Sequence, residues 1–261
     1  MQEQLIIHCE DSIDGIYTAI YEGFSYKKKL EQTQTYQDSI RICPGYTESG
    51  FLFAQEISVA TDQEKAKKTV DAIIRKLGYP VHETLFYALC HFDEERATAA
   101  FGFLTRAFPI GSRIMEHLSD PYVMRVMELH RKVFRETDKL RGFVRFQDTG
   151  SFLHAQIEPK CNVLPLLADH FADRYPGENF MIRDLKRQTA LLHPAGRSCF
   201  LMPDSLLPAE WLEENGVELS DPFEALWKQY FRTMGIEARK NERCQRNTAP
   251  IWYRKHMLEF E

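Results

Sequence analysis

The stretch that decides the fold class is residues 151–202, which read SFLHAQIEPKCNVLPLLADHFADRYPGENFMIRDLKRQTALLHPAGRSCFLM. Apolar and polar residues alternate there in short runs, a pattern typical of half-buried β-strands. Together with the run just upstream, strands are predicted at 142–147, 151–158, 179–185, 188–193 and 198–202. Asn162 is predicted to begin a helix after the second strand, and a turn at 194–197 joins the last two. We therefore expect an antiparallel sheet covered by a helix.

The N-terminal half has a different character, because its apolar residues recur mostly with helical spacing. Strands are predicted there at 4–8 and 51–59, and residues 25–50 are predicted to form a loop. Thr61 and Glu64 have the spacing of a capping box, which predicts the start of a helix. Most of this half is therefore expected to be helical.

The fold class predicted from these patterns is α+β, with a mainly helical N-terminal lobe followed by a helix-covered antiparallel sheet. We expect one compact domain over residues 1–261, and the alternative is two lobes, 1–140 and 141–261, the second with a basic C-terminal tail. The chain has 44% hydrophobic and 27% charged residues. These proportions are those of a globular protein, and they exclude a disordered chain or a coiled coil.

Several functional classes are excluded by what the sequence lacks. No apolar segment is long enough for a signal peptide or a membrane span, so we expect a cytoplasmic protein with no membrane association. Six cysteines are scattered without a Cys-x-x-Cys pair, and we expect reduced thiols rather than zinc ligands. No phosphate-binding loop, dinucleotide-binding motif, zinc-protease motif or serine nucleophile elbow occurs. We therefore expect no metal and no cofactor.

The formal net charge of −5 conceals a segregated distribution of charge. Residues 125–145 contain seven Lys or Arg and three Asp or Glu, a local charge of +4. Residues 225–256, called the basic tail below, contain eight basic and two acidic residues, a local charge of +6. The rest of the chain carries −15, so the overall acidity is no argument against a nucleic-acid ligand.

The basic tail interleaves cations with aromatic residues, a pattern that indicates contact with nucleic acid. Guanidinium groups suit phosphate oxygens, and aromatic rings stack on bases. The candidate anion- or nucleic-acid-binding residues of the tail are Arg239, Lys240, Arg243, Arg246, Tyr253, Arg254 and Lys255. The alternative is a solvated helix face whose aromatic residues are buried as anchors. In line with that alternative, a helix beginning at Asp221 is predicted to bury Phe223, Leu226, Trp227, Tyr230, Phe231 and Met234.

The predicted sheet also groups residues suited to acid–base chemistry. One face of the strand at 151–158 carries three polar residues, His154, Gln156 and Glu158. Three residues are candidate catalytic groups, Glu158, His170 and Asp184, because a histidine beside a carboxylate can act as an acid or a base. Two nearby arginines are candidates for holding an anion, Arg174 and Arg187. The alternative interpretation is a buried histidine with structural Arg–Asp pairs.

Several passages in a fixed order mark a family resemblance that covers nearly the whole chain. They are DGIYTAIYE at 14–22, VFRETDKLRGFVRF at 133–146, IEP at 157–159, HFADRY at 170–175, IRDLKR at 182–187, WKQYF at 227–231 and RKN at 239–241. In these passages the sequence resembles an uncharacterised bacterial family associated with DNA metabolism and repair. No single passage is specific, and the resemblance depends on their order and spacing.

The resemblance implies partners rather than chemistry. Members of the family tend to be encoded beside a radical S-adenosylmethionine protein that modifies DNA, and longer members carry a uracil-DNA glycosylase domain. We do not expect glycosylase activity in this chain of 261 residues. The family has no established catalytic residues to carry over.

The sequence is compatible with three functions. The first is an accessory protein in DNA repair or DNA modification that binds nucleic acid and acts with a radical S-adenosylmethionine partner enzyme. The second is an enzyme that acts on damaged or modified DNA through Glu158, His170 and Asp184. The third is a module whose basic surfaces bind a protein partner only. The segregated basic tail and the missing catalytic motifs favour the first.

Overall fold

The computed structural model describes residues 4–30, 40–45, 54–212, 222–234, 236 and 239–260. These residues form helices and two sheets in the manner of an α+β protein, which confirms the predicted fold class. Contacts between residues divide the chain into two units, residues 1–134 (unit 1) and residues 135–261 (unit 2). No helix among the described residues is long and apolar enough to span a membrane.

Unit 1 contains a small parallel sheet packed with helices. Its elements are β1 (Gln4–Cys9), α1 (Ile13–Leu30), β2 (Ile40–Pro44), β3 (Ala54–Val59), α2 (Gln63–Leu77), α3 (Tyr79–Leu89), α4 (Arg96–Ile110) and the first part of α5 (Pro121–Phe143). β1 lies between β2 and β3 and pairs with both in parallel. Ile6 and Ile7, which point to opposite faces of β1, are both fully buried. An uninterrupted apolar run is typical of a central parallel strand covered on both faces.

The loop predicted over residues 25–50 is wrong where the structure describes that range. Helix α1 continues through Leu30, and residues 40–44 form the strand β2. Ile42 pairs with Ile7 of β1 and is fully buried. Five residues in a polar context give a weak strand signal, and the pairing with β1 is what stabilises them as a strand.

The capping box predicted at the start of α2 is also wrong in detail. The cap is Asp62, whose carboxylate accepts hydrogen bonds from the backbone amides of Glu64 and Lys65 at 2.9 and 3.1 Å. Thr61 instead donates its hydroxyl to the carboxylate of Glu10 at 2.6 Å. A carboxylate next to a free helix N-terminus satisfies two orphan amides and interacts favourably with the helix dipole.

Unit 2 is built on a five-stranded sheet. Its elements after α5 are β4 (Gln147–Asp148), β5 (Leu153–Ile157), α6 (Leu164–Arg174), β6 (Phe180–Asp184), β7 (Thr189–His193), β8 (Phe200–Pro203), α7 (Ala209–Leu212), α8 (Pro222–Met234), α9 (Glu242–Thr248) and α10 (Ile251–Arg254). The strand order is β4-β5-β6-β7-β8. β5 and β6 pair in parallel and the other pairs are antiparallel, so the sheet is mixed rather than fully antiparallel. The reason is α6, a helical crossover that returns the chain to run in the same direction as β5.

The two faces of this sheet have different surroundings. Phe180 on one face contacts Phe171 of α6 and Phe146, with ring centroids 6.5 and 5.7 Å apart. The register places His154 opposite Met181 and Gln156 opposite Arg183, so these four side chains share the other face. The face without α6 is therefore the polar one, and it forms the floor of the cleft described below.

The prediction that α8 buries an apolar face is wrong. Its large apolar residues are between 39% and 62% exposed: Leu226, Trp227, Tyr230, Phe231 and Met234. The predicted cap Asp221 and the side chain of Phe223 lie outside the described residues. Helical spacing decides which residues share a face, but burial also requires a neighbouring surface that covers that face.

Candidate functional site

A cleft of about 1070 Å³ lies over the polar face of the sheet in unit 2. Its floor includes His154 and Gln156 from β5 and Arg183 from β6. This volume is slightly above the usual range of small-molecule clefts, roughly 300–1,000 Å³. The residue types that share this face were visible in the alternation of β5, but the cleft above them was not.

The walls of the cleft are apolar and partly aromatic. Phe152 and Trp211 lie with their ring centroids 5.1 Å apart, and both line the cleft. Trp211 is 40% exposed, Phe200 is 45% exposed and Leu206 is 68% exposed, and all three are cleft-lining residues. Large apolar side chains that remain exposed around a concave surface are typical of a ligand-binding site.

Arg183 of the floor forms a buried ion pair with Asp204, which lies next to the cleft-lining residues in the chain. The Nη2 atom of Arg183 donates to Oδ2 of Asp204 at 2.8 Å, and the side chains are 10% and 12% exposed. Within the described residues, Nε of Arg183, Oδ1 of Asp204 and Nε2 of His154 are buried and have no hydrogen-bond partner. Each such atom loses its hydration on folding without a compensating bond, which is costly.

The imidazole of His154 is neutral at physiological pH. Burial, with a smaller contribution from the Arg183 guanidinium, lowers the pKa of His154 to about 4, and Asp204 opposes this shift. A neutral imidazole has one nitrogen that donates and one that accepts. His154 can therefore offer either kind of hydrogen bond at the cleft floor.

Two further cations among the described residues that line the cleft, Arg145 and Lys255, have carboxylate partners as well. Arg145 binds Glu259 through Nη2 at 2.6 Å, and Lys255 donates to the Oε1 atom of Glu158. His256 lies 3.2 Å from the same Glu158 oxygen. The hydrogen bond from Lys255 holds the pKa of Glu158 below its usual range. The positive charges lining the cleft are therefore compensated locally.

The end of the basic tail is attached to the body of unit 2. The indole N–H of Trp252 donates to the backbone oxygen of Glu158 at 2.9 Å. The buried carboxylate of Glu136 accepts hydrogen bonds from the backbone amides of Lys160 and Cys161, both at 2.9 Å, and from the Tyr253 hydroxyl at 3.4 Å. Tyr253 is therefore a structural anchor in part, as the alternative interpretation of the tail predicted.

Two of the three candidate catalytic residues, Glu158 and Asp184, have separate partners. Glu158 is bound by Lys255 and His256, as described above. Asp184 is fully buried and accepts from the Nη1 atom of Arg187 at 2.8 Å. Burial raises the pKa of Asp184, although Arg187 opposes the shift. A backbone hydrogen bond of 3.0 Å from Leu185 to Ile157 places Glu158 and Asp184 at the same end of the β5–β6 pair.

His170 does not share in this arrangement. Within the described part of the chain, no hydrogen bond joins His170 to either carboxylate, and its Nε2 atom is buried without a partner. Burial lowers the pKa of His170, and the neighbouring Arg141 and Arg174 lower it further. The contacts of the structure therefore bring Glu158 and Asp184 into one region and leave His170 outside it.

Besides Tyr253 and Lys255, three more of the candidate anion-binding residues have structural partners. Arg187 also donates to the backbone oxygens of Pro159 and Lys160 at 3.3 and 2.6 Å. Arg254 donates to the oxygen of Ala249 at 2.8 Å and lies over the ring of Phe260. Arg174 donates to the hydroxyl of its neighbour Tyr175 at 3.2 Å and remains at the surface.

The remaining candidates are exposed to solvent in and beside α9. They are Arg239, Lys240, Arg243 and Arg246. Among the described residues, neither Arg239 nor Arg243 has an ion-pair partner. Arg246 lies 3.3 Å from Glu242, but both side chains are more than 60% exposed, and exposed pairs of this kind contribute little to stability. Arg239, Arg243 and Arg246 are therefore available to bind a partner.

Sequence reasoning missed Arg183, Asp204, Phe152 and Trp211 as candidate site residues. The signal for Arg183 was its place in β6, two residues from Met181 and on the same face. Asp204 follows β8, and two hairpin connections separate it from Arg183 along the chain. No local sequence pattern therefore links the two residues.

Among the described residues, no group of three or more His, Cys, Asp or Glu side chains is arranged to hold a metal ion.

Together these features define an α+β protein whose second unit combines a mixed sheet, a partly aromatic cleft and an exposed basic segment. The chain belongs to the family described as a domain of unknown function, DUF4130, whose pattern matches residues 94–259. That range contains every candidate site residue named above. No curated protein matches the chain.

Proposed function

We propose that this protein is an accessory protein in DNA repair or DNA modification, that it binds nucleic acid through its basic tail, and that it acts with a radical S-adenosylmethionine partner enzyme. The observation that carries the nucleic-acid contact is the exposure of Arg239, Arg243 and Arg246. The pathway and the partner enzyme come from the family resemblance of the sequence.

The chemistry of the tail suits a single strand of nucleic acid. Exposed guanidinium groups form charge-assisted hydrogen bonds with phosphate oxygens and release condensed counterions. Trp252 is 53% exposed, while its indole nitrogen is held by Glu158 and Lys160 lies 5.7 Å from its ring centroid. An exposed ring held in a fixed position beside cations is a suitable platform for stacking a base.

The enzyme hypothesis has less support. Both carboxylates of the candidate set are bound by cations, and Asp184 is fully buried. A general acid or base must come within hydrogen-bond reach of the group it serves. We therefore assign no chemical step to Glu158, His170 and Asp184.

A second candidate function is a module that binds a protein partner only. The exposed apolar side chains of α8, including Leu226, Tyr230 and Met234, favour it. The two functions differ in one measurement, because a pure protein-binding module would be retained by its partner enzyme without shifting labelled DNA in a mobility assay. An accessory DNA-binding protein would do both.

The test of the nucleic-acid contact is the triple variant Arg239→Glu, Arg243→Glu and Arg246→Glu. Fluorescence anisotropy with a labelled single strand at low salt should show at least a tenfold loss of affinity, because each reversal removes an attractive phosphate contact and adds a repulsive one. Unchanged affinity in this variant would refute the assignment of the tail.

A matched control keeps the same total change in charge but places it elsewhere. Lys67, Lys68 and Arg75 of α2 are exposed and can be changed to Glu together. If both triple variants lose affinity equally, the effect is one of net charge. A loss confined to the tail variant supports a specific contact there.

A further inference from the structure

We propose that the cleft of unit 2 binds a nucleobase, that is, a neutral planar heterocycle with hydrogen-bond donors and acceptors on its edge. The proposal concerns a different surface from the basic tail. It rests on the proposed function only for the source of the base, which is either a strand held by the tail or a free nucleoside.

The charges of the cleft argue for a neutral ligand. Arg145, Arg183 and Lys255 line it, and each has a carboxylate partner: Glu259, Asp204 and Glu158, respectively. A phosphate or carboxylate ligand would have to compete with these partners for the cations. The exposed arginines near α9 provide the site for phosphate instead.

The polar atoms of the floor argue for a ligand with both donors and acceptors. Arg183 is 8% exposed, lines the cleft, and has a buried Nε–H without a partner. Nε2 of His154 is likewise unpartnered, and as part of a neutral imidazole it can donate or accept. The edge of a nucleobase presents such groups side by side, and a small movement of these side chains towards the cleft would let it complete bonds that the described residues leave unmade.

The aromatic and apolar walls argue for a flat ligand. Phe152 and Trp211 meet at an interplanar angle of 48°, and Trp211 leaves 40% of its surface exposed. Leu192, Met202 and Leu207 extend the apolar surface of the cleft. Rings of this kind stack on any base, because every base has a π face.

The connection between the basic tail and the cleft offers a route for a base within a strand. Lys255 and His256, at the end of the basic tail, line the cleft themselves. A strand whose phosphates contact the arginines near α9 can therefore lead to the cleft along one continuous segment of the chain. This continuity is why the source of the base must be tested with both free nucleosides and strands.

The first experiment measures binding of the four deoxynucleosides by saturation-transfer NMR, with 2-deoxyribose as the neutral probe that lacks a base. The expected result is binding of at least one nucleoside and not of the free sugar. His154→Phe, which removes the imidazole, and Trp211→Ala, which removes an aromatic wall, should each weaken binding about tenfold or more. Tyr79→Ala in unit 1, an exposed residue outside the cleft, is the matched control.

The second experiment compares a short single strand with a strand of the same length composed of abasic units. If the base is taken from a strand, the normal strand binds more tightly than the abasic one, and His154→Phe and Trp211→Ala each reduce that difference. Stacking on Trp252 is unchanged in both variants and accounts for the part that remains. The circular dichroism melting curve of each variant establishes that it is folded. Trp211 is partly exposed, so Trp211→Ala keeps the test decisive if His154→Phe does not fold.

The outcomes separate this proposal from the proposed function. If the tail triple variant loses strand binding but retains nucleoside binding, the result supports both the base-binding cleft and the proposed function. Nucleoside binding in a protein that binds no strand supports the cleft and contradicts the proposed function. If no nucleoside binds, and the difference in affinity between the normal and abasic strands is the same in wild type and in both cleft variants, the proposal of a base-binding cleft is wrong.

Discussion

The guanidinium of Arg183 donates to the carboxylate of Asp204 across 2.8 Å, between side chains that are 10% and 12% exposed. The bond links the central strand β6 to the turn that follows the edge strand β8. Each partner keeps one buried polar atom without a hydrogen bond. The pair thus holds the floor of the cleft in place and leaves part of its hydrogen-bonding capacity unused.

Removing one member of this pair should destabilise the protein strongly. We expect Arg183→Met or Asp204→Ala alone to lower the free energy of unfolding by about 3 kcal/mol, because the remaining charge stays buried without a partner. The double variant should lose clearly less than the sum of the single variants. A double-mutant cycle from urea unfolding measures this coupling, and strictly additive single effects would contradict the prediction.

The depressed pKa of His154 predicts a dependence of stability on pH. The folded-state pKa is about 4, compared with an ordinary value of 6.5, so between these values the unfolded chain binds the proton more readily. Stability should therefore fall as the pH decreases from about 6.5 towards 4, by about 2 kcal/mol after allowance for the partial exposure of the ring. Above pH 6.5 the imidazole of His154 is neutral in both the folded and the unfolded chain, so this loss of stability is absent there.

The measurement compares wild type with His154→Phe in urea unfolding at several pH values. The difference between the two proteins isolates this residue, because burial also lowers the pKa of His82, His130 and His170. Parallel curves for the two proteins between pH 4 and 6.5 would show that His154 is not the group responsible.

The buried carboxylate of Glu136 should be a strong determinant of stability in unit 2. Glu136→Leu removes the acceptor of the Lys160 and Cys161 amides and should cost about 2–4 kcal/mol, because two buried N–H groups lose their partner. Hydrogen exchange of those two amides should accelerate in Glu136→Gln. Asp138→Ala, at an exposed position of the same helix, is the matched control and should change stability by less than about 0.5 kcal/mol.

The close packing of α4 against α5 in unit 1 gives an independent test of the fold. A side chain at Gly102 would overlap the ring of Tyr122, so Gly102→Ala should destabilise unit 1 by about 1–3 kcal/mol. Gly142→Ala is the control, because nothing lies within 4 Å of its added methyl group and alanine favours a helix. In thermal unfolding, the melting temperature of Gly102→Ala should decrease. That of Gly142→Ala should increase or remain unchanged.

The salt dependence of strand binding tests how the tail makes contact. If Arg243 neutralises one phosphate, Arg243→Ala should reduce the slope of log affinity against log salt by about 0.7. Arg254→Ala should have a smaller effect on this slope, since its guanidinium is engaged with Ala249 and Phe260. Equal changes of slope in the two variants would argue against the exposed arginines near α9 as the primary contact.

The sequence predicted local structure well where side-chain periodicity was strong. The strands β5 to β8 and the helix α6 lie close to their predicted positions, and His154 and Gln156 share a face as their alternation required. The strand β2 was missed because its apolar pattern is too short to predict a strand. It forms a strand because it pairs with β1, with Ile42 beside Ile7. The parallel pairing of β5 and β6 was missed because alternation does not show strand direction.

The candidate site was predicted less completely. The arginines near α9 were identified, and their exposure agrees with the use proposed for them. The burial expected for α8 was wrong, since a helical pattern identifies a face but not the surface that covers it. Arg187 and Lys255 were identified as possible ligand contacts, and the structure shows both bound to carboxylates.

The sequence by itself determined the secondary structure over most of the described residues and the α+β class. It also determined how the net charge of −5 divides into basic segments and an acidic remainder. These are properties of residues near one another in the chain, so composition and periodicity report them directly. The tertiary structure alone decided which charges are compensated and where polar atoms are left without partners. Arg183 and Asp204, or Glu136 and the amides at 160–161, are more than twenty residues apart, and only folding brings them into contact.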